Sequence, residues 1–178
     1  MCIRDSESAS PSGSATDDES ASPSGTASPS GTAGTGAAGG AAAATAVVGA
    51  LAAAQEAVPE GEVFELDRKD GEEGWEVKLA VGDREQEVDV SEDGSEAVPQ
   101  ETDDELDQED RERLAEVQVP LEEAVGAALG EVDGELDSAQ LDSEDGITVW
   151  EVDVDTSDGS SVDVYVNVEN GSVVKVDR

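Results

Sequence analysis

The sequence predicts an α+β fold of two tandem repeats, each with one helix packed on a small antiparallel β-meander of three to four strands. Two observations support this prediction. Apolar residues at helical spacing occur twice, and each set precedes short alternating segments separated by Asp-Gly or Gly-Asp turns. We therefore divide the chain into a tether (1–42), repeat 1 (43–98), an acidic linker (99–118) and repeat 2 (119–178).

The tether is predicted from its composition. The segments ESASPSGSA at Glu7 and ESASPSGTA at Glu19 recur within a tract rich in Ser, Pro, Gly and Thr. Such a tract offers almost no apolar surface to bury, so we expect it to be disordered. Residues 37–54 are uncharged, but they are mostly Ala and Gly and lack aromatic or basic flanks, which favours the start of a helix over a membrane span.

The helix of each repeat is predicted from a set of apolar positions. Each set follows a spacing of 0, 3, 4, 7 and 11, which traces one face of a helix, and the second set lies 74 positions after the first. Turns containing Gly61 and Gly134 are expected to end the two helices. The first set is Val47, Ala50, Leu51, Ala54 and Val58, and the second is Leu121, Ala124, Val125, Ala128 and Val132.

The strands are predicted from alternation of apolar and polar residues between turns. The strongest signal is a Trp-Glu-Val tripeptide in each repeat, beginning at Trp75 and at Trp150, which indicates the second strand of each meander. The other strands are indicated by apolar residues at period two. These are Phe64, Leu66, Val88, Val90 and Val98 in repeat 1, and Ala139, Leu141, Val162, Val164, Val166, Val168, Val174 and Val176 in repeat 2.

The linker between the repeats permits two interpretations. Its apolar residues Leu106, Leu114 and Val117 are few but could lie along a weak acidic helix. A solvated linker without regular structure is equally consistent with its many carboxylates.

The composition argues against catalysis. The chain contains no His, which removes the commonest general base and metal ligand, and its one Cys permits neither an intramolecular disulfide nor a CxxC redox pair. We therefore expect no catalytic residue, cofactor or metal site. A net charge of -37 repels phosphates and anionic lipids, so charged partners should be cations or basic proteins, with no nucleic acid.

The order of these motifs, and their duplication, resembles the PepSY domain. The matching segments are residues 50–61 and 124–134, the two Trp-Glu-Val tripeptides, and residues 166–173 with the sequence VNVENGSV. Two departures are an Asn167 where the family pattern has Asp, and an additional residue before Gly94. The resemblance implies a peptidase inhibitor or regulator at the cell envelope, in a secreted or lipid-anchored protein.

Few residues qualify as sites. Trp75 and Trp150 occupy equivalent places and are expected to pack in the core with Leu51, Val125 and Val152, the alternative for each Trp being an exposed binding anchor. Tyr165 alternates away from the valines of its strand. We therefore predict that it lies on the open face of the sheet and contacts a partner.

Two groups of acidic residues could be read as functional sites, but a structural explanation is stronger for each. Residues 153–159 suggest a calcium loop, but Asp158 and Val164 stand where an EF-hand requires Gly and Glu, so a hairpin turn is favoured. Asp142 and Asp145 could be named as a general acid and base. In a chain this acidic, however, their proximity is expected by chance.

Two functions are therefore consistent with the sequence. The first is a non-catalytic extracytoplasmic binding module that regulates a secreted or envelope peptidase. The second is a structural or charge-buffering acidic envelope protein that binds cations diffusely. An extracytoplasmic location would require a signal sequence, and we expect that it is missing from this chain because no basic and apolar leader precedes the tether. Cys2 would need an upstream lipobox, absent here, to carry a lipid.

Overall fold

The computed structural model describes residues 37–178 apart from Asp70, Glu72 and Asp103, and it describes residues 37–43 by their backbone alone. The predicted tether thus lies outside the described residues up to residue 36. Residues 37–42, which the sequence assigned to the tether, already belong to the first helix. Four of these six residues are Ala, the residue with the highest helix propensity, and the helix includes them despite Gly39 and Gly40.

The described residues form three helices and eight strands. The first half (residues 37–99) and the second half (residues 121–177) each consist of one helix followed by four strands, and one additional short helix lies between them. The elements are α1 (Ala37–Ala57), β1 (Glu62–Arg68), β2 (Trp75–Val81), β3 (Arg84–Val90), β4 (Ala97–Pro99), α2 (Gln108–Leu114), α3 (Leu121–Glu131), β5 (Gly134–Glu144), β6 (Ile147–Thr156), β7 (Ser161–Asn167) and β8 (Val173–Asp177). The mixed α+β class predicted from the sequence is confirmed.

The eight strands form one antiparallel sheet, with the order β4-β3-β2-β1-β5-β6-β7-β8. The first strands of the two meanders join them, because Leu66 pairs with Ala139 and Asp67 pairs with Ser138. This pairing was not predicted from the sequence. It removes two free strand edges, which would otherwise expose unpaired backbone groups.

The long helices α1 and α3 pack on the same face of the sheet. Helix α1 contacts strands β1 to β5 and also α3, while α3 contacts β5, β6 and β7. The buried apolar residues of both halves therefore form one continuous core. The close approach of α1 to the turn before β4 depends on Gly94, since a Cβ there would lie 2.8 Å from the carbonyl carbon of Gly49.

The linker is structured, which decides between its two interpretations. Asp107 caps α2, because its Oδ1 atom accepts a hydrogen bond of 3.0 Å from the backbone N–H of Asp110. Leu106 is buried in the common core, and Leu114 packs against that core as a half-buried residue. A seven-residue helix anchored by leucines therefore connects the halves.

Helix α1 is the longest helix among the described residues, at 21 residues. Neither it nor any other helix in the described range combines the length and the apolarity that crossing a membrane requires.

Candidate functional site

The sheet has a second face, opposite α1 and α3, which carries mostly carboxylates. We call this surface the open face. Successive side chains of a strand point to opposite faces of the sheet, so the residue after each inward apolar residue points to the open face. Its members are Glu65, Asp67, Glu76, Lys78, Glu85, Glu87 and Asp89 in the first half, and Ser138, Gln140, Asp142, Glu151, Asp153, Asp163, Tyr165, Lys175 and Asp177 in the second.

The carboxylates of the open face are crowded enough to disfavour full ionisation. Burial, a hydrogen bond with Glu65 and the charge of Glu65 together raise the pKa of Asp67 from 3.8 to about 7. Burial also raises the pKa of Glu87, with further contributions from the charges of Glu76 and Asp89. The salt bridge between Lys78 and Glu65 compensates part of this negative charge.

Tyr165 lies on the open face, as its alternation predicted, but its ring is nearly covered, with 8% of the residue exposed. Its hydroxyl donates a hydrogen bond of 3.3 Å to Oε1 of Glu151, and Nζ of Lys175 lies 4.9 Å from the ring centroid. Burial and the charge of Glu151 raise the pKa of Tyr165 to about 12. Long side chains on the two flanking strands therefore cover the tyrosine, so a partner would first meet Glu151 and Lys175.

The five residues expected in the core are all buried. Trp75 and Trp150 are 2% and 1% exposed, and Leu51, Val125 and Val152 are 4%, 1% and 0% exposed. The two tryptophans differ in their polar contacts. Nε1 of Trp150 donates a hydrogen bond of 2.9 Å to the carbonyl of Val119, whereas Nε1 of Trp75 has no partner among the described residues.

The segment considered as a calcium loop forms a hairpin turn between β6 and β7. The backbone N–H of Thr156 donates to the carbonyl of Ser160 at 2.8 Å, and Oδ1 of Asp158 accepts from the N–H of Ser160 at 3.2 Å. Hydrogen bonds from Ser160 and Thr156 lower the pKa of Asp158 to about 2. The carboxylate is therefore engaged in stabilising the turn.

The paired carboxylates Asp142 and Asp145 are separated in role. Oδ1 of Asp142 lies 3.7 Å from Nη2 of Arg113, which forms an ion pair between β5 and α2. Asp145 occupies the tight turn before β6, with a positive φ of 52°. Asp142 thus contributes its carboxylate to an ion pair, whereas Asp145 contributes its backbone conformation to a turn.

One group of carboxylates was missed by the sequence analysis. Oxygen atoms of Glu76, Glu87 and Asp89 lie within 4.8 Å of one another on the open face. Asp89 also forms a salt bridge with Lys69 and accepts a hydrogen bond of 2.7 Å from Nε2 of Gln100. Alternation on β2 and β3 would have indicated a common face, but only the register, in which Glu76 pairs with Asp89, brings these residues together.

Comparison with known proteins identifies two similar structures and one matching family profile. No curated protein matches this sequence. Two solved structures are similar: a candidate lipoprotein from Clostridium difficile 630, at 18% identity over 69% of this chain and 86% of that one, with a TM-score of 0.41, and the YpmB protein from Bacillus subtilis, at 20% identity over 71% and 92%, with a TM-score of 0.32.

The family profile described as "Peptidase propeptide and YPEB domain", or PepSY, matches residues 118–177. This range contains α3 and the four strands β5 to β8. Residues 118–177, the segment from α3 to β8, therefore match a PepSY domain.

Proposed function

We propose that this protein is a non-catalytic, extracytoplasmic binding module that regulates or inhibits a secreted or envelope peptidase. The observation that carries this proposal is the PepSY match over residues 118–177, a module whose description links it to peptidase propeptides. The absence of His supports action by binding, since the commonest general base is missing.

We also propose that the first half is a divergent second PepSY repeat. In both halves, one helix precedes four strands in chain order, and a buried Trp stands on the second strand of each meander. The helical apolar positions of the halves keep their constant offset of 74 residues. A duplication joined through β1 and β5 accounts for the mirrored order of strands in the sheet.

The partner surface we propose is the region of the open face around Tyr165, together with the neighbouring edge strand β8. Strand β8 ends the sheet, so its outer backbone groups are available to an extended segment of a partner. Val174 on this strand is 45% exposed. The opposite edge is less suitable, because β4 has only three residues and includes Pro99.

This function is tested by adding the purified full chain to the extracellular and envelope fractions of the producing organism and measuring the hydrolysis of casein. We expect a saturable change in proteolysis that persists in 0.5 M NaCl, where charge-driven contacts are screened. The retained peptidase is then identified by capture and mass spectrometry.

A matched pair of variants locates the surface. Val174→Gln on β8 should weaken the effect, whereas Val98→Gln on β4 changes a valine of similar exposure at the other edge and should leave the effect intact. If no peptidase is retained and the chain changes no proteolytic activity, the regulatory function is wrong.

The alternative is a structural or charge-buffering envelope protein, which the crowded carboxylates of the open face favour. In that case, binding of mono- and divalent cations should be weak, unsaturated at millimolar concentrations and abolished by salt. Equilibrium dialysis with Ca²⁺ at low and high NaCl distinguishes this behaviour from selective binding of a peptidase.

A further inference from the structure

Between α2 and α3 lies a segment without regular secondary structure, residues 116–119, which we call the strap. The backbone N–H groups of Gln118 and Val119 both donate to the carbonyl of Val168, at 2.9 and 2.8 Å. The carbonyl of Val119 accepts the indole N–H of Trp150 at 2.9 Å. The side chain of Thr148 also donates a hydrogen bond, to Glu116. The strap is therefore held mainly through its backbone.

The first half has no strap of its own. The positions that correspond to residues 118–120, at the offset of 74, are residues 44–46, and these lie within α1. Their backbone groups take part in the helix rather than in contacts like those of the strap. The residues that would receive a strap are nevertheless present in the first half.

The register of the sheet identifies the receiving residues. Trp75 pairs with Val90 as Trp150 pairs with Val166, so Glu92, two positions after Val90, corresponds to Val168. By the same rule, Glu73 corresponds to Thr148, since each lies two positions before its Trp. Thr148, Trp150 and Val168 are the three residues that hold the strap.

A cavity of about 110 Å³ lies where these corresponding residues meet. It is lined by Arg68, Glu73, Gly74, Trp75 and Glu92. Trp75 is only 2% exposed, and its Nε1 atom has no hydrogen-bond partner among the described residues. A buried donor without a partner is costly, so an acceptor that reached it would bind favourably. We call this cavity the strap slot.

We propose that the strap slot binds a segment of a partner polypeptide that lacks regular secondary structure, in the way that the strap binds the second half. A carbonyl of that segment would accept from Nε1 of Trp75, and its N–H groups would donate to the carbonyl of Glu92. The small volume limits the contact to one or two residues of the segment. The carboxylates of Glu73 and Glu92 disfavour an acidic segment.

A partner segment is favoured over residues 44–46 of the chain itself. Those residues would have to leave α1, which breaks helical hydrogen bonds in an Ala-rich segment with high helix propensity. The proposal stands on the geometry of the slot alone and does not require the partner to be a peptidase.

The test uses the ¹⁵N-labelled full chain, whose two tryptophans give two indole N–H resonances. The probe is the acetylated and amidated peptide Ala-Gln-Val-Gln-Val-Pro, which is the sequence of residues 115–120 with Glu116 replaced by Gln. We expect the peptide to shift the Trp75 resonance saturably and to leave the Trp150 resonance unchanged, because the strap already supplies the acceptor for the indole N–H of Trp150. N-methylation of the peptide at its second Gln and second Val should weaken binding about tenfold.

Two variants make the proposal falsifiable. Trp75→Phe keeps an apolar ring without the donor and should weaken the peptide about five- to tenfold, read by isothermal titration. Trp150→Phe, the matched control, should bind as the wild type does. Equal binding by Trp75→Phe and wild type, or no shift of the Trp75 resonance at millimolar peptide, would overturn the proposal.

A third variant tests the alternative occupant. Val48→Pro, at a position that is 47% exposed, interrupts α1 directly after residues 44–46 and frees them from the helix. If this substitution alone moves the Trp75 resonance to the position of a hydrogen-bonded indole, the slot serves the chain's own segment, and the partner proposal is wrong. An unchanged resonance, with peptide binding retained, supports the proposal.

Discussion

Replacing each tryptophan by phenylalanine should destabilise the protein by different amounts, although the two sites are almost equally buried. Trp150→Phe removes the hydrogen bond to Val119 and leaves that carbonyl without its indole donor. Trp75→Phe removes a buried donor that has no partner. Both substitutions replace an indole by a smaller phenyl ring, at positions that are 1% and 2% exposed. The free-energy cost of the lost volume should therefore be similar in the two variants.

The difference between the variants follows from the hydrogen bonds alone. Leaving a buried acceptor unsatisfied costs about 1 to 3 kcal/mol, and removing an unsatisfied donor recovers a similar amount. We therefore expect Trp150→Phe to be less stable than Trp75→Phe by about 2 to 6 kcal/mol. Because the halves share one core and one sheet, both substitutions should act on a single cooperative transition.

Urea unfolding followed by far-ultraviolet circular dichroism measures this difference without relying on tryptophan fluorescence. The urea dependence of the free energy should be the same in both variants, since they expose similar surface on unfolding. Equal stabilities within about 0.5 kcal/mol would refute the reasoning. A greater loss for Trp75→Phe would show that its indole N–H is satisfied in solution.

Three further outcomes are expected. The folded pKa of Asp67, about 7, lies above its unfolded value of 3.8, so the folded state retains a proton that the unfolded chain releases between these values. Stability should therefore fall as the pH rises from about 4 to about 7. Asp67→Asn should remove about 2 kcal/mol of that fall after solvent screening, as measured by urea unfolding at pH 5 and pH 8. A loss of stability toward low pH in this window would contradict the prediction. Tyr165, the only tyrosine, should titrate near pH 12 by ultraviolet absorbance in the folded protein and near 10 in urea, and a folded value near 10 would show an uncovered ring. The melting temperature should rise from low to molar NaCl because counterions screen a net charge of -37, whereas a flat response would mean that self-repulsion does not limit stability.

The candidate site was only partly predictable from the sequence. Alternation placed Tyr165 on the open face, because side-chain direction along a strand depends on local geometry alone. The covering of its ring depends on Glu151 and Lys175, which belong to the two strands on either side. Likewise, the proximity of Glu76 to Asp89 depends on the register between strands, which the alternation of a single strand does not specify.

The sequence by itself determined the order of helices and strands in each half, because helical spacing and period-two alternation are local patterns. Only the tertiary structure decided how the halves combine. The pairing of β1 with β5 merges two meanders into one sheet. Helix α2 and the hydrogen bonds of the strap give the linker a defined structure. These outcomes depend on contacts between residues distant in sequence, since free strand edges and buried polar groups find their partners only when the chain is folded.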